Sequence, residues 1–260
     1  KLMKNYKLDT IYIGGGTPTT LEPDQLRRLL NQIGESFGFD GLVEFTIEAG
    51  RPDSITREKL ETIKEFPVTR ISVNPQTMNQ KTLDIIGRRH TVVQVQEAFA
   101  LAREMGFSHI NMDLIVGLPS ETYEDVERTM QEVQRMAPDS VTVHTLVIKR
   151  ASRMRREQLE SGADMRAEDL LIPYMQDSSG EYFEEQGFEP YYMYRQKNKS
   201  GTTRNTNQEN VAYAKPGKEC LYNMLIMEEL ETIVALGSGA STKIVYPGEN
   251  RMERVENVKN

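Results

Sequence analysis

Five short apolar segments recur along the first 150 residues, and stretches with a helical period separate them. The first, Asp9–Ile13, is β-branched and aromatic and contains no breaker. Leu42–Ile47, Arg70–Val73, Ile110–Val116 and Val141–Ile148 follow. Between the first two lies Glu22–Phe37, which sets Leu26, Leu29, Leu30, Ile33 and Phe37 on one face. Thr56–Phe66 comes next, with Thr56 placed to cap it. Lys81–Ile86 leads to Val92–Met105, where Val92, Val95, Phe99 and Ala102 share a face. Tyr123–Met136 repeats the pattern with Tyr123, Val126, Met130 and Val133. Strand–helix alternation of this kind demands a parallel sheet with helices outside, because each crossover returns the chain to the same end of the sheet. An α/β barrel, or part of one, is the simplest closure, and its ligands sit at the carboxyl ends of the strands.

The first strand runs at that end into Gly14, Gly15 and Gly16, followed by Thr17, Pro18 and Thr19. Three glycines in a row lose much backbone entropy on folding and are kept where a ligand or another backbone approaches closely. A tight strand-to-helix turn is the plainer reading. Other polar residues are expected at the same end: Glu48 closing the second strand, Gln76 after Pro75, Arg88 after Gly87, and Asp113 inside an apolar strand. An acid in such a run is costly unless paired or liganded. Each has an ordinary reading: a solvated Glu, a surface Gln, an Asp paired with an Arg of the next strand. Their common placement makes them a candidate ligand site. His90, His109 and His144 are too scattered for a metal site. His144 reads as a core or pocket residue, Cys220 as a small buried hydrophobe and the 13 methionines as core filler.

The net charge of −7 argues against a nucleic-acid partner. No apolar run approaches the ~18 residues of a membrane span, and a single cysteine fits a cytoplasmic setting without disulfides. After Arg150 the pattern changes, so residues 1–150 are expected to form the barrel core and 151–260 a smaller α+β extension. In that extension a helix is expected over Ala167–Gln186, with Leu170, Leu171, Tyr174 and Phe183 in the core. Strands are expected at Tyr191–Tyr194, Ile233–Leu236 and Lys243–Tyr246, and a polar loop at Lys197–Asn210. The basic run Lys149–Arg156 suits either anionic substrate groups or a solvated linker.

Taken together, Tyr12-Ile13-Gly14-Gly15-Gly16-Thr17-Pro18-Thr19, Glu48, Arg70–Thr77 and Asn111–Pro119 resemble the radical-SAM oxygen-independent coproporphyrinogen III oxidase family. Val143–Leu146 and Ala212–Gly217 look like its coproporphyrinogen dehydrogenase branch. The resemblance implies a partial (β/α)6 barrel, S-adenosylmethionine and a 4Fe-4S cluster. It implies that Gly14, Gly15, Gly16 and Thr17 hold the methionine end of the cofactor. Glu48, Gln76, Arg88 and Asp113 would contact its amino-acid and ribose parts, and Val147 would lie near the adenine. The implied reaction is oxidative decarboxylation of porphyrinogen propionates by a 5′-deoxyadenosyl radical, with an electron donor as partner. The family's three-cysteine cluster loop has no counterpart in this sequence. It would precede Asp9, so the expectation is a chain lacking the first strand and that loop, inactive by itself. A haem-binding chaperone of the same family, binding haem without decarboxylase activity, is the alternative. A barrel enzyme using the glycines for a phosphate is a third reading.

Overall fold

A computed structural model describes residues 7–146, 165–196, 208–246, 248–249 and 251–259. The chain divides into two compact units, Lys1–Glu219 and Cys220–Asn260. This partition falls at 219/220 rather than at 150/151.

The first unit is built on a seven-stranded sheet in the order β1-β2-β3-β4-β5-β7-β6. Strands β1 (Thr10–Ile13), β2 (Glu44–Gly50), β3 (Arg70–Val73), β4 (Ile110–Val116) and β5 (Ser140–Thr145) are parallel neighbours in sequence order. The crossovers carry α1 (Pro23–Phe37), α2 (Arg57–Lys64), α3 (Gln80–Ile85), α4 (Val92–Glu104) and α5 (Tyr123–Met136). Thr56 caps its helix as the sequence indicated, and Thr91 and Thr122 likewise accept a backbone N–H as N-caps, both in capping boxes. The helices cover one face of the sheet. Leu26, Leu30, Leu60, Ile63, Val95, Phe99, Val126, Met130 and Val133 form one core with Ile47, Ile71, Met112 and Val141.

The sheet's other face is polar. Strand side chains alternate between faces, so Tyr12, Glu44, Thr46, Glu48, Arg70, Ser72, Asn111, Asp113, Ser140, Thr142 and His144 share it. Most of these are buried. The curled sheet therefore wraps a polar interior, as a half barrel does.

Two further strands complete the sheet. β6 (Glu189–Gln196) and β7 (Gln208–Ala214) add antiparallel beyond β5. The helix α6 (Met165–Glu185) precedes them and packs on the same core through Met175 and Phe183. The helix is where the sequence placed it, but its face is not. Leu171 is 36% and Tyr174 56% exposed. The buried stripe runs instead through Ile172, Met175, Gln176, Ser179 and Phe183, while Tyr174 stacks on Tyr123 at 5.1 Å. Residues 208–210, read as loop, begin β7. β2 starts two residues later than expected and runs to Gly50, so Glu48 sits within the strand rather than at its end.

The second unit holds α7 (Leu221–Glu228) and a hairpin of β8 (Ser241–Tyr246) and β9 (Arg251–Glu256). Ile233 makes only a single bridge, to Lys243, where a strand Ile233–Leu236 was expected. Cys220 is buried, as read. Val147, the run Lys149–Arg156 and most of the loop 197–210 lie outside the described residues, as does the side chain of Leu170.

Candidate functional site

The glycine stretch is built around Glu48. A Cβ on Gly14 would lie 2.8 Å from Glu48 Cδ, Glu48 Oε2 and Tyr12 Cε1. Gly14 is bare because the Glu48 carboxylate occupies that space. The Tyr12 hydroxyl donates to Glu48 Oε1, and the Gly15 backbone N–H donates to the same carboxylate. Gly15 has φ +82°, a conformation that favours glycine, whereas Gly16 faces open space. Beyond them Thr17 leads into a short turn of helix, Pro18–Thr20. Thr19 pins that turn to β2, its hydroxyl donating to the Ala49 carbonyl at 2.5 Å. The buried Lys59 ammonium donates to the Thr19 carbonyl at 2.7 Å.

Burial raises the Glu48 pKa, helped by the nearby Asp113 charge, against the hydrogen bonds from Tyr12 and Gly15 and the Arg70 charge. Tyr12 is raised by burial and by Glu48. Asp113 behaves oppositely. Burial raises it, but His144, Asn111 and Arg70 outweigh burial and hold it below the ordinary carboxylate range. Asn111 Nδ2 donates to Asp113 Oδ1 at 2.7 Å, and His144 Nε2 lies 3.9 Å from Oδ2. The Asp113 carboxylate only accepts, so it fixes the Asn111 amide with Nδ2 toward it, and Oδ1 accepts the Ser140 hydroxyl at 2.9 Å and that of Thr142 at 3.4 Å. The His144 pKa is lowered by burial but raised on balance by Asp113, Asn210 and Glu48. Pairing with an Arg of a neighbouring strand was the ordinary reading of Asp113; Arg70 lowers it by its charge, while His144 and Asn111 hydrogen-bond it.

Gln76 is tied to β4. Its N–H donates to the Asp113 carbonyl at 3.0 Å and its carbonyl accepts from Ile115 at 2.8 Å. One cleft, with a volume of about 160 Å³, gathers Gly16, Thr17, Glu48, Gly50, Arg51, Asn74, Gln76 and Arg88. Five of the nine residues singled out in the sequence therefore line a single cavity. Gly14 and Gly15 contact Glu48 from behind, and Asp113 adjoins through the Gln76 backbone. Gly50, Arg51 and Asn74 were missed. The signal for them was present: Gly50 and Arg51 follow Glu48, and Asn74 immediately precedes Pro75. The Arg51 guanidinium is held by Asp53, with Nε 3.0 Å from Oδ1. Arg88 is lowered by burial and by the Arg51 charge. The buried Oδ1 of Asn74 has no hydrogen-bond partner among the described residues. Paired guanidiniums, a carboxylate and an orphaned buried acceptor suit a ligand bearing both an anionic group and N–H or O–H donors.

The sequence profile of the Radical SAM superfamily matches residues 1–133, and the chain belongs to that superfamily. The chain is 41% identical over 254 residues to the oxygen-independent coproporphyrinogen-III oxidase-like protein HemZ of Bacillus subtilis, covering 97% of this chain and 49% of that protein. It is 39% identical over 143 residues to the heme chaperone HemW of Lactococcus lactis, covering 55% of this chain and 38% of that one. Among solved structures, coproporphyrinogen III oxidase HemN of Escherichia coli superposes with a TM-score of 0.67 at 20% identity, over 90% of this chain and 52% of that chain. The family resemblance and the partial-barrel fold read from the sequence are borne out. The chain spans about half the length of the curated relatives it matches. Among the described residues no helix is long and apolar enough to cross a membrane.

Proposed function

We propose that the cleft binds S-adenosylmethionine and that the full protein oxidatively decarboxylates the propionates of a porphyrinogen. The gathering of Gly16, Thr17, Glu48, Gln76 and Arg88 in one cavity carries the first part. The residues fit the cofactor. Arg88, with Arg51 beside it, would take its carboxylate, and the partnerless Asn74 Oδ1 would accept from its ammonium or a hydroxyl. Glu48 and Asp113 would accept from ribose hydroxyls. Gly16, with open space where a side chain would stand, lets the backbone approach the ligand. When bound and reductively cleaved, the cofactor supplies a hydrogen-abstracting carbon radical. The chain's own part is to hold the cofactor in one orientation and keep water from it.

The residues present do not fit a 4Fe-4S cluster. Such clusters need several thiolates. The chain's one cysteine, Cys220, is buried, and no group of three His, Cys, Asp or Glu among the described residues is arranged to hold a metal.

The HemZ similarity, 41% identity over 97% of the chain against 25% over 93% for the HemW of Haemophilus influenzae, favours the HemZ-type reading over a haem chaperone. HemW similarity at 39% over 143 residues keeps the chaperone as a second reading, in which the protein binds and delivers haem. The test is anaerobic incubation of the full-length protein with coproporphyrinogen III, S-adenosylmethionine and a strong reductant. Decarboxylated porphyrinogen formed with 5′-deoxyadenosine supports the enzyme. Stable haem binding and transfer without decarboxylation assigns the chaperone.

A further inference from the structure

Gln76 has φ +68°, in the left-handed region that a residue with a Cβ enters only under constraint. The constraint comes from both flanks. On the N-terminal side the Pro75 carbonyl faces His90 Nε2 at 3.2 Å. A carbonyl only accepts, so Nε2 carries the proton and Nδ1 is left bare. That Nδ1 is buried and has no partner among the described residues. On the C-terminal side the Thr77 hydroxyl donates to the Glu121 carboxylate. Thr129 completes the grip: its Oγ1 accepts the Met78 N–H at 3.1 Å and lies 3.2 Å from Thr77 Oγ1. Since the Thr77 proton goes to Glu121, the Thr129 hydroxyl donates to Thr77. Thr82 also hydrogen-bonds the Glu121 carboxylate. The β4 ladder then holds Gln76 itself through Asp113 and Ile115.

Glu121 lies in the loop just before α5, and His90 lies between α3 and α4; neither lines the cleft. We propose that Glu121, acting through Thr77, and His90, acting through Pro75, are positioning residues that force Gln76 into its left-handed conformation in the cleft wall. The clamp explains why a carboxylate is buried against two threonines and why His90 forgoes a partner for Nδ1. Its value for ligand binding rests on the cofactor reading above, so the two are tested by separate measurements.

The clamp is tested by hydrogen exchange at the Gln76 and Ile115 amides in the full-length protein. Glu121→Ala is expected to speed exchange at both by about tenfold, the scale of one lost charge-assisted hydrogen bond. Glu121→Gln, which keeps an acceptor for Thr77, restores slow exchange. Thr77→Val, which keeps the shape but removes this donor together with the acceptor of the Asn79 N–H at 3.1 Å, speeds exchange at both amides at least as much as Glu121→Ala and serves if that variant fails to fold. S-adenosylmethionine affinity measured by calorimetry falls with exchange protection in Glu121→Ala and recovers in Glu121→Gln. Wild-type exchange at Gln76 and Ile115 in both Glu121→Ala and Thr77→Val overturns the clamp. Accelerated exchange with unchanged affinity in those variants and in Gln76→Ala leaves the clamp standing and removes Gln76 from the cofactor site.

Discussion

The three glycines after β1 perform different tasks, and single alanine substitutions separate them. At Gly14 the added Cβ meets Glu48 Cδ, Glu48 Oε2 and Tyr12 Cε1 at 2.8 Å, which is 0.6 Å inside the 3.4 Å lower limit of ordinary contact (3.4 − 2.8). Glu48 cannot retreat by that distance and keep its bonds from Tyr12 and Gly15. Loss of a hydrogen bond to a buried charged group costs about 1.5–3 kcal/mol, and overpacking alone costs about 1–3 kcal/mol. The two overlap, since relieving the clash is what breaks the bond, so about 2–3 kcal/mol is expected for Gly14→Ala. For a domain of this size that lowers Tm by about 5–10 °C. At Gly15 no atom lies within 4 Å and the cost is φ +82° alone, about 1 kcal/mol once the stiffer unfolded chain is counted. At Gly16 there is neither a neighbour within 4 Å nor a left-handed φ, so the fold changes by less than about 0.5 kcal/mol. Ligand affinity follows a different order, because Gly16 lines the cleft. Thermal unfolding of the three variants, with calorimetric titration of S-adenosylmethionine into the full-length protein, measures both orders. Gly14→Ala melting with wild type, or Gly16→Ala melting lowest, refutes the account of Glu48 packing onto the glycine loop.

Three further outcomes follow from the site. Asp113 is held below its ordinary 3.8 and His144 above its ordinary 6.5. The first contributes stability above pH 3.8 that is lost as pH falls through its folded value; the second contributes stability below pH 6.5 that is lost as pH rises through its folded value. Their joint contribution is therefore greatest between those limits, so Asp113→Asn lowers urea-unfolding stability there and flattens the losses at lower and higher pH, while its His144 resonances titrate at lower pH. Arg51→Ala breaks an exposed pair with Asp53 and changes stability by at most about 1 kcal/mol, yet weakens S-adenosylmethionine binding by about tenfold through loss of a charged donor; unchanged affinity excludes Arg51 from the site. Iron and sulfide added anaerobically to the 260-residue chain develop no visible charge-transfer absorbance, because its one thiol is buried; an absorbance there would reveal a ligand set these residues do not suggest.

What could be read from the sequence was whatever a local period encodes. β3, β4 and α5 occupy the residues that alternation and helical spacing assigned to them. Where the period is weak, boundaries moved. Nothing in the helix Met165–Glu185 marks Leu171 as outside and Gln176 as inside, because partners of its buried stripe lie far along the chain, as Tyr213 on β7 does for Phe183. The stripe also contains polar residues that a hydrophobic pattern ignores. The hydroxyl of Tyr213 lies 2.7 Å from where a Cβ on Gly180 would stand, so that turn of the helix is chosen by a contact no local window contains. The antiparallel return of β7 against β5 was invisible for the same reason: strand direction is a property of the pairing, and Gln208–Asn210 alone is only polar.

The site shows the same limit from the other side. Polar residues stood out singly, and their grouping followed once the strands were taken as parallel, since every second residue of β2, β4 and β5 must then face the interior. That rule places Glu48, Asp113 and His144 on one surface without knowledge of any contact. It does not say which of them will be charged. That depends on what surrounds each: burial pushes Glu48 up against the hydrogen bonds from Tyr12 and Gly15, while at Asp113 the partners His144 and Asn111 outweigh burial and pull it down. Two carboxylates on one sheet face thus acquire opposite tendencies from their neighbours. After His144, the second acid's partner is Asn111, two residues away on the same strand, whose Oδ1 accepts the Ser140 hydroxyl of the next. A ligand entering the cleft meets Glu48, with Asp113 adjoining through the Gln76 backbone, and the opposite shifts of the two acids are set by burial and by the groups around each rather than by either acid alone.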